Sequence, residues 1–227
     1  MSDETARLRV LIADDHAVAR AGLRSMVTEA PDLIVVGEAA NGVEAVEQAL
    51  LHRPDVVVLD LQMPRGGGLE TLRALRGTQL EVAILVMSFH AETIFAVPLL
   101  REGANGYLAK ENAGENLLEA IRRVANGGRY VSPAVAEQLA RRITSLRSPA
   151  PHERLSAQEL VVVALLASGK TPAEIAAELL LSRRAVQRCY GRILTKTGLA
   201  TTTSVVQYAL AANIAGPAVA GFGARDL

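Results

Sequence analysis

The sequence predicts two domains of different fold class: an α/β domain with a doubly wound, five-stranded parallel sheet, followed by an all-α domain of four short helices. Apolar strand-like runs alternate with helix-period segments over residues 1–127, whereas only helix-like segments follow residue 153. The charge divides in the same place. Residues 1–127 carry 12 basic and 18 acidic side chains, and residues 154–213 carry seven and three.

The composition excludes several classes of protein. Half of the 227 residues are apolar and 21% are charged, which is typical of a globular chain and too apolar for disorder. The single cysteine excludes a disulfide framework. No run has the length of a membrane span and no secretory signal is recognisable, so we expect a cytoplasmic protein that has no membrane contact. The basic second part is the candidate for nucleic-acid binding.

The predicted strands are continuously apolar, as expected where helices cover both faces of a sheet. They lie at 9–14, 33–39, 55–61, 82–88 and 106–109. Apolar residues at spacings of three and four predict helices between and after them, at 17–30, 43–52, about 91–102 and 112–126. Asn112 followed three residues later by Glu115 predicts a capping box at the start of the last of these helices.

Polar residues stand where the predicted strands end. Asp14 and Asp15 follow the first strand, Asp60 ends the third, Ser88 ends the fourth and Lys110 follows the fifth. Ligands of such sheets bind at the carboxyl ends of the strands, so these side chains converge on one edge. Clustered carboxylates repel each other unless a cation lies among them, and oxygen ligands favour Mg²⁺. Although one such Asp alone is often only a turn or cap residue, the series favours a phosphoryl site in which a carboxylate is the nucleophile.

These motifs, together with the segments 60–64 and 103–110 and with Gly68, resemble the receiver domain of bacterial two-component response regulators over about residues 7–127. The resemblance implies a flavodoxin-like fold. It also implies that Asp60 accepts a phosphoryl group from a histidine kinase. The Mg²⁺ would be held by Asp14, Asp15, Asp60 and the main-chain carbonyl of Gln62.

The resemblance further implies a switch. Ser88 and Lys110 would contact phosphoryl oxygens, and Tyr107 would move inward when Ser88 is drawn to the phosphate. The signalling face would be 89–111. Pro98 lies in the helix of that face, where a proline costs about 3 kcal/mol. We therefore expect a short, kinked or mobile helix, which argues against conventional dimerisation through this face. The alternative is a helix that merely starts late, with no functional consequence.

A linker is predicted at 128–153. Gly127 and Gly128 end the last receiver helix, and Ser132 followed by Pro133 predicts the start of a linker helix over 133–147. This helix either packs on one of the two domains or contributes to a dimer. The tail, 214–227, is expected to be disordered.

Local signals define the helices of the second domain, 154–213. Ser156, Thr171 with Glu174, and Ser182 are predicted caps, and Gly198 ends the third helix. The helices are expected at 157–167, 172 to about 180, 183–197 and 202–212. The short connection between the second and third helices suits a helix-turn-helix.

The third helix is strongly basic and contains no acid. Its cations recur mostly every fourth residue and so form a stripe: Arg183, Arg184, Arg188, Arg192 and Lys196. Such a stripe suits the major groove of double-stranded DNA, with Gln187 able to pair with adenine. A merely solvated face is disfavoured, because five cations without an acid repel each other in the absence of a polyanion.

This part resembles the LuxR-type helix-turn-helix of NarL/FixJ response regulators. The matching residues are Leu155-Ser156, Glu159, Leu165-Leu166-Ala167, Gly169, Glu174-Ile175-Ala176, Leu179, Leu181-Ser182, Val186, Ile193-Leu194, Lys196 and Gly198-Leu199. The family usually has Lys and His where this chain has Gln187 and Cys189, which bears on base preference. Gly191 stands in mid-helix, at a cost of up to about 1 kcal/mol against Ala. Cys189 is either an oxidant-sensitive thiol activated by nearby cations or an ordinary reduced one.

The sequence therefore predicts a transcription regulator, not an enzyme, that is switched by phosphorylation of Asp60 and binds DNA as a homodimer when active. A histidine kinase is the expected phosphoryl source, and RNA polymerase is a candidate partner. Two alternatives stay open. One is a Mg²⁺-dependent phosphohydrolase with Asp60 as nucleophile, and the other is a receiver whose helical domain binds protein.

Overall fold

The structure, a computed structural model, describes residues 7–64, 67–144 and 148–215. The five strands are β1 (Leu8–Ala13), β2 (Leu33–Ala39), β3 (Val56–Asp60), β4 (Ala83–Ser88) and β5 (Gly106–Ala109). The helices that accompany them are α1 (Ala17–Glu29), α2 (Gly42–His52), α3 (Gly68–Gly77), α4 (Glu92–Arg101) and α5 (Ala113–Ala125). All the strands lie within one or two residues of their predicted positions.

The strands form one parallel sheet in the order β2-β1-β3-β4-β5. Residues of α1 and α5, such as Val27 and Ile121, pack on one face. Residues of α2, α3 and α4, such as Ala49, Leu72 and Phe95, pack on the other. The predicted doubly wound fold is confirmed, and it brings the carboxyl ends of all five strands to one edge.

The start of α5 differs from the prediction. The Asn112 side chain makes no capping hydrogen bond, and Lys110–Asn112 form a single 3₁₀ turn instead. The capping-box prediction is therefore wrong. That turn begins at Lys110, whose side chain reaches back to two carboxylates at the sheet edge.

The linker helix, α6 (Pro133–Thr144), packs on α4. The Ser132 hydroxyl accepts from the Val135 N–H at 3.3 Å and donates to Glu92 Oε1 at 2.5 Å, and Val135 is completely buried. Residues 145–147 of the predicted helix lie outside the described residues. Helix α4 begins at Glu92 and passes through Pro98, so it is short but does not start late.

The second domain consists of α7 (Ala157–Ala167), α8 (Pro172–Glu178), α9 (Arg183–Thr197) and α10 (Thr202–Ala211). Capping boxes form at Ser156 with Glu159 and at Thr171 with Glu174, and Ser182 caps α9. In the part of the chain that the structure describes, every helix is too short or too polar to cross a bilayer.

The end of α10 departs from the expected disordered tail. Asn213 adopts a left-handed conformation with φ 55°, and the next residue, Ile214, is completely buried. The Ile214 N–H donates to the Ala209 carbonyl at 2.9 Å. Residues 216–227 lie outside the described part of the chain.

Candidate functional site

Three carboxylates meet at the carboxyl edge of the sheet. Asp14 and Asp15 follow β1 and Asp60 ends β3, and one possible ligand atom from each lies within 4.8 Å of the others. Asp14 is 1% exposed and Asp60 is 3% exposed. His16, for which the sequence predicts no role, adjoins the cluster with its Nδ1 2.8 Å from Asp15 Oδ1. The one signal for this contact in the sequence is that His16 directly follows two aspartates.

Lys110 partly balances the charge of this cluster. Its Nζ donates to Asp14 Oδ2 at 2.7 Å and to Asp60 Oδ2 at 2.8 Å. Burial alone would lower the pKa of Lys110, but the two carboxylates outweigh it and raise the pKa. Burial raises the pKa of Asp60 to about 6 even though Lys110 opposes the shift. Asp60 is thus a carboxylate at neutral pH that protonates more readily than an exposed one.

The donor set fits a divalent cation. Lys110 balances one of three negative charges, so two remain at the buried edge. The Gln62 N–H donates to Asp60 Oδ1 at 3.1 Å, which holds the Gln62 main chain beside the cluster. Carboxylate and carbonyl oxygens are the ligands that Mg²⁺ prefers. Receiver domains bind Mg²⁺ at such an acidic pocket.

A tight turn after β3 positions Asp60. The Gly68 N–H donates to the Leu61 carbonyl at 3.0 Å, and Gly67 has φ 47°. A Cβ at Gly68 would lie 2.3 Å from the Asp60 carbonyl oxygen and 2.5 Å from Leu61 Cα. Gly68 is therefore required by the close approach of two backbone segments. Residues 65 and 66 lie outside the described residues.

The residues that the resemblance assigns to a switch, Ser88 and Tyr107, are buried beside the cluster. Ser88 ends β4, and its Oγ accepts from the His90 N–H at 3.1 Å. The Tyr107 hydroxyl donates to the His90 carbonyl at 2.8 Å, and Tyr107 is only 1% exposed. Tyr107 therefore already lies inward. This is the position that the family resemblance associates with the phosphorylated state.

His90 also contacts the second domain. Its ring stacks on Phe95 with centroids 4.6 Å apart, and its side chain lies beside the main chain of Ile214. Burial lowers the pKa of His90 to about 4, although the Ile214 main chain opposes the shift. The imidazole is therefore neutral at physiological pH. No local signal predicted this contact, because its partner lies more than a hundred residues away along the chain.

The loop that carries Asp60 also lies against the helical domain. A small cavity lies between the two domains at this point. Its first-domain side is lined by His90 and by four residues that follow Asp60: Leu61, Gln62, Met63 and Gly67. The helical side of the cavity is lined by Val161, Leu165, Glu178 and Leu179. The apolar residues among them belong to one continuous cluster that spans both domains. Packed side chains thus connect the residues after Asp60 with the helical domain.

Helix α9 presents most of its cations to solvent. Arg183, Arg184, Gln187 and Arg188 are all exposed, while Val186 faces the core. The contact with the first domain uses α7, α8 and Ile214, so it leaves this face open.

Two of the five cations of α9 have a counter-charge that the sequence reasoning missed. Glu159 of α7 has a side chain only 2% exposed, and it pairs with Arg192 Nε at 3.2 Å and Lys196 Nζ at 2.7 Å. Burial would raise the pKa of Glu159, but Lys196, the Ser156 N–H and Arg192 outweigh it and lower the pKa. The premise of an unopposed cationic stripe is wrong for Arg192 and Lys196, because an acid from another helix reaches them.

Cys189 lies on the inward face of α9 and is buried. Burial raises the pKa of its thiol, although Arg192 and Lys196 oppose the shift. The hypothesis of an activated, oxidant-sensitive thiol is therefore wrong, because desolvation of the thiolate outweighs the nearby positive charge.

Comparison with known families defines the class of protein. Residues 10–122 match the response regulator receiver domain, and residues 153–209 match the bacterial regulatory proteins of the luxR family. The chain therefore belongs to the NarL/LuxR-type DNA-binding response regulators. These matches support the regulator interpretation over a phosphohydrolase or a protein-binding output.

Individual relatives agree with this class. Oxygen regulatory protein NreC of Staphylococcus epidermidis is 34% identical over 211 residues, which cover 89% of this chain and 97% of that protein. NreC of Staphylococcus aureus is 35% identical over 210 residues, with the same coverage. A LuxR-family response regulator from Aurantimonas is 33% identical, with a TM-score of 0.57 over 62% of this chain and 100% of the other. RcsB of Salmonella typhimurium, 22% identical, shares the fold with a TM-score of 0.74 over 92% of this chain and 99% of the other.

Proposed function

We propose that this protein is a transcription regulator in which a histidine kinase phosphorylates Asp60 and α9 binds the major groove of double-stranded DNA. The observation that carries the proposal is the double role of one loop. Asp60 ends β3 among the clustered carboxylates, and the next residues, Leu61 to Met63, lie against α7 and α8. One short segment thus joins the phosphorylation chemistry to the domain that bears the cationic helix.

The chemistry requires a carboxylate nucleophile. An Asp60 carboxylate oxygen would form a bond to phosphorus while the bond from phosphorus to the kinase's histidine nitrogen breaks, and the leaving imidazole takes up a proton. Lys110 already donates to Asp60 Oδ2, so its ammonium can pair with the new phosphoryl oxygens. Ser88 ends the neighbouring strand, β4, and its hydroxyl would donate to another of the phosphoryl oxygens. Each contact favours the phosphorylated state over the free one.

Asp14, Asp15, Asp60 and the Gln62 main-chain carbonyl would hold Mg²⁺ in this proposal. When bound, the ion supplies positive charge that offsets the repulsion between an incoming phosphoryl group and the carboxylates. The chain's own groups orient the site, since the Gln62 and His16 N–H groups fix Asp60 and Asp14 at 3.1 and 2.8 Å.

The pKa of Asp60 predicts how Mg²⁺ binding depends on pH. Only the carboxylate form can ligate the ion, and the pKa of Asp60 is raised to about 6. We expect the apparent Mg²⁺ affinity to be level above pH 7 and to fall roughly tenfold for each pH unit below about 6. Isothermal titration calorimetry from pH 5 to 8 measures this in a chain that has no Trp to serve as a fluorescent probe. In D60N the Mg²⁺ affinity should not show this fall below pH 6. A wild-type Mg²⁺ affinity that does not depend on pH would contradict the assignment of Asp60 as a ligand.

Phosphorylation is proposed to act on the contact between the two domains. The phosphoryl group would offer Lys110 and Ser88 new acceptor oxygens. The Ser88 Oγ accepts from the N–H of His90, which lines the cavity between the two domains. The helical domain would then be released or repositioned. Two copies can bind paired half-sites, because one small helix-turn-helix makes too few contacts for tight binding.

The test is DNA selection with the full-length protein. Random-sequence duplexes are selected with and without acetyl phosphate and Mg²⁺, and affinities for the recovered duplex are compared. We expect phosphorylation to raise affinity about 5- to 150-fold, the usual range of coupling between two sites. Sedimentation should show two protomers per duplex. If no duplex is recovered, DNA binding is refuted. If the sedimenting mass is the same with and without acetyl phosphate, the dimer formed on phosphorylation is refuted.

Several further assignments accompany this proposal. We place the receiver at 1–127, the linker at 128–153 and the DNA-binding domain at 154–213. The family is one of transcriptional regulators, and we propose that this member has no enzymatic turnover beyond slow loss of its own phosphoryl group. Its site of action would be the cytoplasm, where the chromosome lies, and RNA polymerase is a candidate partner there.

A further inference from the structure

Gly191 occupies the middle of α9 without any need that the described residues impose. It is exposed, and a Cβ built on it would meet no heavy atom of the described part of the chain within 4 Å. Its backbone is not among the positive-φ glycines. A glycine in an exposed helix interior weakens the helix relative to alanine. Neither packing nor backbone conformation therefore accounts for the missing side chain.

The position of Gly191 points to something outside the chain. At about 100° per residue, Gly191 falls opposite the buried stripe of Val186 and Ile193, on the outermost face together with Arg188 and Thr195. A shallow cleft at this point is lined by Arg188, Gly191, Arg192, Thr195 and Lys196. Three cationic side chains thus surround the one position in this cleft that has no side chain.

We propose that Gly191 is a steric determinant of base recognition, which lets the main chain of α9 approach the edges of the base pairs. This inference rests on the proposed function, in which α9 enters the major groove. A helix with its side chains is about 10–12 Å across and the groove is about 12 Å wide, so the outermost residue limits the depth of entry. A methyl group there would project by about 1.5 Å, one carbon–carbon bond. Arg188 on one side and Arg192 with Lys196 on the other can then reach the phosphates.

The G191A variant separates this role from a structural one. If Gly191 had only a structural role, its replacement with alanine would raise the stability of the protein and leave DNA binding unchanged. We expect the melting temperature of G191A to rise by a few degrees. We expect affinity for the duplex selected by the phosphorylated wild type to fall at least about fivefold, the lower end for a lost base contact. Affinity for unrelated DNA, which depends on phosphate contacts, should change little, so the ratio of specific to non-specific binding falls.

The matched control is G22A. Gly22 is also exposed in a helix, α1, and a Cβ there would meet nothing within 4 Å. G22A should raise the melting temperature similarly and leave DNA affinity unchanged. If R188A loses affinity while G191A binds as the wild type does, the inference is wrong and the proposed function stands. Loss of stability together with affinity in G191A would also overturn the inference. If no protein binds any duplex, the proposed function fails and this inference fails with it.

Discussion

Replacing Asp60 with asparagine is expected to abolish phosphorylation, from one phosphoryl group per chain to none. An amide cannot attack phosphorus to form a stable acyl phosphate, and it also weakens the proposed Mg²⁺ site. The fold should persist, because Asn has nearly the same shape and Lys110 keeps its bond to Asp14 at 2.7 Å. The substitution also removes a buried carboxylate whose pKa burial raises to about 6. We therefore expect the melting temperature to stay level or to rise.

The measurement is intact-mass spectrometry after incubation with acetyl phosphate and Mg²⁺. Asp32, an exposed aspartate that pairs with Arg122 away from the site, gives a matched control. D32N should gain one phosphoryl group as the wild type does. Uptake by D60N would refute the assignment of Asp60. Many turnovers of a small phosphate ester by the wild type would favour the phosphohydrolase alternative instead.

Removing one arginine from the outer face of α9 is expected to weaken DNA binding by about tenfold or more. Arg184 and Arg188 are the sharpest choices, because both are exposed and the described residues provide neither with an ion pair. Arg192 and Lys196 already share Glu159, so part of their charge is balanced before DNA arrives. Each lost phosphate contact should also reduce the slope of log affinity against log salt by about 1.

Filter binding of R184A and R188A at several salt concentrations measures both effects. R24A is a suitable control, since Arg24 lies on α1 of the receiver and its one ion pair with the described residues is a 3.6 Å pair with Glu38. It removes the same charge without touching the proposed DNA face. Affinity that is insensitive to both α9 changes would show that DNA, if bound, contacts another surface. In that case the alternative of a protein-binding helical domain would regain weight.

Local signals predicted most of the elements. The strand β3 (Val56–Asp60) is a completely buried apolar run, so its composition shows its place in the sheet. Ser156, Thr171 and Ser182 each cap a helix where predicted, because a cap depends on residues two or three positions away. Asn112 is the exception. There the competing requirement that Lys110 reach Asp14 and Asp60 is non-local, and a 3₁₀ turn forms instead.

Apart from His16 beside Asp15, the contacts that the sequence does not predict join distant segments. Glu159 neutralises part of α9 from another helix, and His90 meets Ile214 across the boundary between the domains. The charged neighbours of Cys189 in the sequence predict a lowered pKa for its thiol. Its burial on the inward face of α9 raises that pKa instead. In each case the partner or the environment depends on how separate elements pack, which no short window of residues contains.

The order of residues by itself determined that acidic, hydroxyl and ammonium groups follow successive strands and that cations recur along one helix, since both patterns depend only on spacing along regular elements. The tertiary structure alone decided that the Asp60 loop lies against α7 and α8 while α9 stays open to solvent. That arrangement brings together apolar residues such as Leu61, Met63, Leu165 and Leu179, which are distant in the sequence and share one buried cluster only in the tertiary structure.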